Sequence, residues 1–126
     1  MDINLPDVVA EIEAVFDRYE KALMSNDVAT LDAMFHHDTR TVRYGTAENL
    51  YGFAEIQAFR AARSTAGLAR TLSKTLITTY GRDFAVASTL FHRSAATVGR
   101  QTQAWVRFPQ GWRVAAAHVS EIAAPL

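Results

Sequence analysis

The sequence predicts an α+β fold: a cone in which three N-terminal helical segments pack on a curved antiparallel sheet around a pocket. Three observations predict it. Helical spacing of apolar residues is confined to the first half of the chain, and β-type patterning fills the second half. The long β-type runs are joined by short turns, which makes a meander. A meander needs a cover on one face, and the helical segments are placed to supply it.

The elements follow in order. Val8, Ile12, Val15, Phe16, Tyr19, Ala22 and Leu23 recur at helical spacing between Pro6 and Met24, with Glu13, Asp17 and Lys21 on the other side. Pro6 and Asp7 suit a first turn, by fixed backbone angle and by charge. Ser25-Asn26-Asp27 breaks that helix and caps a short second one, whose Val28, Leu31, Met34 and Phe35 face inward. Thr39 to Tyr44 reads as a strand and Gly45 to Leu50 as a loop. Gly52 opens a third helix through Arg63, with Phe53, Ile56 and Phe59 as its apolar face. Strands are expected over Arg70–Tyr80, Phe84–Ser94, Arg100–Phe108 and Trp112–Ile122. Gly81-Arg82-Asp83 and Pro109-Gln110-Gly111 supply turns.

Composition narrows the function. The 126 residues have no linker-like stretch, so a single domain over 1–126 is expected. With 49% hydrophobic residues the chain can build a core without staples, and it contains no cysteine. Thirteen basic residues balance thirteen acidic ones, which argues against a nucleic-acid stripe or a polybasic membrane surface. No apolar run approaches the roughly 20 residues that span a bilayer, and no signal peptide is visible, so a cytoplasmic location is expected.

Candidate functional residues are polar groups on faces that should be buried. Tyr19 lies in the apolar stripe of the first helix; it is either a core phenol with a bonded hydroxyl or a pocket group. Thr39, Thr41 and Arg43 share one face of the short strand, and an inward Arg43 requires an anion or a carboxylate. Arg60 and Arg63 bracket the apolar face of the third helix, with Arg70 just downstream; the alternative is that their stems snorkel to water. In the last strand, strict alternation puts Trp112, Val114, Ala116, His118 and Ser120 on one face. His36-His37 point apart, and no histidine pair stands at metal-ligand spacing, so neither a metal nor a cofactor is expected. The interior inventory of phenol, guanidinium, imidazole and hydroxyl suits binding a small anion and moving a proton. A steroid-isomerase chemistry would need a carboxylate base, and Asp38 sits at a helix–strand junction of uncertain direction.

These residues also carry a resemblance. Asn4-Leu5-Pro6-Asp7-Val8, Tyr19-Glu20-Lys21-Ala22-Leu23, Ser25-Asn26-Asp27, Arg40-Thr41-Val42-Arg43-Tyr44-Gly45, Glu48-Asn49-Leu50-Tyr51-Gly52, Phe59-Arg60-Ala61-Ala62-Arg63, Thr78-Thr79-Tyr80-Gly81-Arg82-Asp83 and the closing Gly111-Trp112-Arg113-Val114 to His118-Val119-Ser120 resemble the AtzH-like family. That family includes the oxalurate catabolism protein HpxZ and lies within the NTF2-like, or cystatin-like, superfamily with the SnoaL-like proteins. The resemblance implies a metal-free decarboxylating amidohydrolase acting on a 1,3-dicarboxyurea- or oxalurate-type compound. It implies a catalytic Tyr19–Arg43 pair, to which the reading of the residues themselves adds Arg60, Arg63, Arg70, His118, Ser120 and Thr41 as substrate-binding candidates. It also implies a homodimer and a functional link to an amidase. The alternative is a non-catalytic anion-binding or accessory protein of a neighbouring amidase. An outward apolar face, as in Val86, Leu90 and Trp105, would favour pairing of two copies.

Overall fold

Pro6 pre-sets the first backbone angle of a 19-residue helix, α1, Pro6–Met24. The computed structural model describes residues 1–125. The apolar stripe of α1 is buried from Val8 to Leu23, and it is the main lid of the sheet. The Asp27 carboxylate accepts from the Thr30 backbone N–H at 3.2 Å and caps α2, Val28–Ala33. Leu31, Met34 and Phe35 are buried below α1. The third helix, α3, Phe53–Ala62, buries Ile56 and Arg60.

Six strands form one sheet: β1 Val42–Tyr44, β2 Asn49–Tyr51, β3 Thr71–Tyr80, β4 Phe84–His92, β5 Thr97–Phe108 and β6 Gly111–Ala123. Their order is β2-β1-β6-β5-β4-β3. The β3–β6 meander is antiparallel as expected. The curved, mainly antiparallel sheet is as expected, with one parallel pairing, between β1 and β6. These two strands are joined by most of the chain and not by a hairpin, which is the condition for parallel pairing. The stretch read as a loop before Gly52 contains β2, which pairs back on β1.

The strand expected from Thr39 is shorter, starting at Val42. Thr39 and Arg40 are held out of it because Asp38 accepts from the Arg40 backbone N–H at 2.7 Å and from its guanidinium at 2.9 Å. These bonds hold the Asp38 carboxyl well below the usual carboxylate range, the Arg40 side chain first and its backbone N–H second. The folded-state pKa lies under the unfolded one. The stabilisation is therefore complete above about pH 4 and is lost as pH falls through the folded value. Urea melts of Asp38→Asn should show the variant less stable at neutral pH, with the gap narrowing below about pH 4. An unchanged gap at pH 2 to 3 would mean that the carboxylate is not the source.

Two irregularities decide which side chains face inward. Ala104 pairs with Ala116, but Trp105 pairs with Val114, so Ala115 is an extra residue in β6. This bulge shifts the alternation, as bulges do. Trp112 and Val114 are buried before it, Ala117 after it, and His118 is exposed. A second shift falls between Ser73 and Leu76 of β3, where Lys74 takes φ 51°. The outward face carries Val86 and Leu90, half-buried, with Leu76 and Phe84 exposed. Trp105 does not belong to that face. It is fully buried, edge-on to Tyr19 at 5.8 Å between ring centres. No helix among the described residues is long and apolar enough to cross a membrane.

Candidate active site

Between α1, α3 and the inner face of the sheet lies a cavity of about 240 Å³. Tyr19, Arg43, Arg60, Arg63 and Arg70 all line it. Tyr19 reaches it because α1 puts position 19 on its buried stripe, against Trp105 and Phe35. Its hydroxyl forms no hydrogen bond among the described residues, so the phenol is a pocket group and not a satisfied core tyrosine.

The arginines differ in how they are neutralised. Arg60 is 4% exposed, ion-paired to Asp32 and stacked over Phe35 at 4.8 Å. Arg70 is tied through two nitrogens to Glu20, with the Nε bond at 3.0 Å, and donates to Gln101 Oε1 at 3.0 Å. Both are buried and ion-paired, so neither snorkels to water. Arg43 spends one nitrogen on Glu48 Oε1 at 2.8 Å and lies 5.6 Å from the Phe59 ring centre. Glu48 fits there because Gly45 has no Cβ where its carboxylate sits.

Arg63 has no carboxylate within ion-pair distance among the described residues. Its one long bond is to Asn26 Oδ1 at 3.4 Å, and its buried Nε has no partner. Burial lowers its pKa first, and the charges of Arg60 and Arg43 lower it further. An ionised Tyr19 would act the other way and support it. A half-buried charge in this condition is relieved by an anion.

The remaining predicted residues lie elsewhere. Thr41 is buried, but its hydroxyl donates to the His36 carbonyl at 2.7 Å and fixes the α2–β1 connection. His118 and Ser120 lie on the outer face, His118 edge-on to Tyr44 and Ser120 accepting from Arg100. The Ala115 bulge is the reason, since the strict alternation expected for this strand fails there.

Several polar groups in or behind the cavity wall were not anticipated from the sequence. Glu20 follows Ile12 and Phe16 at four-residue steps, so its buried place was readable on the helix. Arg93 continues the inward series Ala85, Ala87, Thr89 and Phe91 of β4. Its guanidinium lies 4.9 Å from the Phe91 ring centre, that of Arg70 lies 4.6 Å from the same ring, and Arg93 comes within only 4.0 Å of Glu121. The missing side chain of Gly99 leaves room for the Phe91 ring. Gln101 and Gln103 alternate with Trp105 along β5 and form part of the lining.

Comparison with known proteins agrees with this architecture. The AtzH-like family profile matches residues 1–125. No curated protein matches the sequence. A DUF3225-family protein of Pectobacterium atrosepticum is 60% identical, with 96% of this chain and 95% of that chain covered and a TM-score of 0.94. A cystatin-like fold protein of Burkholderia xenovorans is 45% identical over 99% of both chains, with a TM-score of 0.95. An NTF2-like protein of Novosphingobium aromaticivorans shares the cystatin-like fold at 22% identity, covering 93% of this chain and 83% of that one, with a TM-score of 0.70. With the fold and the family profile in agreement over nearly its whole length, this chain belongs to the AtzH-like family, on an NTF2-like, cystatin-like fold.

Proposed function

We propose that the cavity binds a small ureido carboxylate of the 1,3-dicarboxyurea or oxalurate type and, where the ligand carries an N-carboxylate as 1,3-dicarboxyurea does, removes CO₂ from it as a decarboxylating amidohydrolase. The observation that carries this reading is that one cavity is lined by Arg63, which has no carboxylate partner, and by Tyr19, whose hydroxyl forms no hydrogen bond, among the described residues. A cavity of about 240 Å³ suits a small acid; it is below the roughly 300 Å³ at which pockets for drug-sized ligands begin.

The chemistry balances simply. The N–COO⁻ bond of the dicarboxylate breaks, CO₂ leaves, and the electron pair stays on nitrogen. Tyr19 delivers a proton to that nitrogen and regains one from solvent. One proton is consumed overall and the product is the monocarboxylated urea. Arg63 holds the ligand charge and steadies the transient phenolate. Arg43, kept in place by Glu48, offers its free nitrogens to the second carboxylate.

The test is CO₂ release from 1,3-dicarboxyurea by the purified chain alone. Arg63→Met should raise KM by about ten- to a hundred-fold, the range for losing a hydrogen-bonded charge. Anion binding without CO₂ release would instead identify an accessory binding protein. Absence of both would overturn the reading of the cavity.

A further inference from the structure

Gln101 and Gln103 sit two residues apart on β5, so their side chains share the inner face of the sheet. They are 4% and 1% exposed. Polar groups this deep normally have every hydrogen bond made. Here each amide is only half satisfied, and always on the oxygen side. Gln101 Oε1 accepts from Arg70 Nη2, and Gln103 Oε1 accepts from the Trp105 indole N–H, both at 3.0 Å. Arg70 and Trp105 can only donate, so they fix which way each amide is turned. Both NH₂ groups are left over. Gln101 Nε2 is buried with no partner, and Gln103 Nε2 forms no hydrogen bond among the described residues. Ala87 and Ala117, the neighbours of Gln103 on either strand, have side chains too short to fill the space beside it.

From this geometry we infer that Gln101 and Gln103 form a two-donor seat for a neutral carbonyl oxygen of the ligand, separate from the guanidiniums that hold its charge. The inference rests on reading the cavity as a small-carboxylate site. The nearby carboxylates are already taken by arginines, so the cavity offers donors in excess, and its ligand must be rich in acceptors. In the proposed reaction the electron pair left on nitrogen spreads onto the adjacent urea carbonyl. Negative charge therefore builds on an oxygen that these two N–H donors are fixed to receive. Gln101 and Gln103 thereby select for an acyl or ureido group beside the carboxylate.

Two planar probes of equal charge separate the seat from the charge site. Oxamate carries a carbonyl next to its carboxylate, whereas methacrylate has the same outline without that acceptor. Calorimetry should show Gln101→Met and Gln103→Met each weakening oxamate about ten-fold while leaving methacrylate within two-fold. Arg63→Met should weaken both. If Arg63→Met changes neither, the carboxylate reading fails. If it weakens both but the glutamine variants treat the two probes alike, the carbonyl seat fails. Should Gln103→Met not fold for want of a Trp105 partner, infrared spectra of oxamate with a ¹³C-labelled amide carbonyl decide the matter in the unaltered protein. A carbonyl band below its position in water supports the seat, and a band at or above that position overturns it.

Discussion

Tyr19→Phe is expected to cut CO₂ release by about a hundred- to ten-thousand-fold, the usual contribution of a positioned proton donor. The substitution removes one oxygen and leaves the ring against Trp105 and Phe35. Because the hydroxyl forms no bond among the described residues, its loss leaves none of their groups unsatisfied, and the melting temperature should hold. The loss should fall on kcat more than KM, since the phenol acts mainly as the nitrogen gains charge. Arg43→Ala should also abolish turnover, but it strands Glu48 and so should soften the β1–β2 turn as well. A Tyr19→Phe protein with unchanged kcat would mean that the proton comes from another group.

Glu20→Ala is expected to cost about 3 to 5 kcal/mol of stability, the range for breaking a buried ion pair by removing one partner. The Arg70 side chain is 1% exposed, so without Glu20 its charge retains Gln101 as its one hydrogen-bond acceptor. Thermal melts should fall by on the order of 10 °C or more. Glu20→Leu combined with Arg70→Met should recover much of the loss, because two apolar groups leave no stranded charge. If Glu20→Ala costs under about 1 kcal/mol, the pair is hydrated in solution and behaves as a surface pair.

The fold was legible because its periods are long. The α1 stripe and the alternation of β4 each run over many residues, and short-range chemistry at Gly81 and Gly111 marks the turns between strands. The failures were local. β2 is three residues long and has no periodicity to detect. Pairing of β1 with β6 is a non-local choice that no nearby residue announces. The assignment of His118 and Ser120 to the interior assumed unbroken alternation, and one unpaired residue, Ala115, defeats it. At the site, position identified the four predicted arginines and the tyrosine of the cavity wall but not their state of neutralisation. Arg60 and Arg63 are three residues apart on one short segment. One is matched by Asp32 and the other by no carboxylate among the described residues, a difference set by a partner 28 residues upstream.

Tyr19 and Glu20 are consecutive residues on α1, and the groups they serve meet on β5: Glu20 grips Arg70, Arg70 orients Gln101, and Tyr19 rests on Trp105, whose indole orients Gln103. The phenol and the two amides therefore stand on one helix and one strand that Arg70 ties together, while the charge-holding Arg43 and Arg63 come from β1 and the end of α3. Transplanting Tyr19 alone into another cone of this shape would carry a phenol without its surroundings. A graft that is to keep the chemistry must move α1 and β5 together, with Arg70 as the rivet, and bring Arg43 and Arg63 with them.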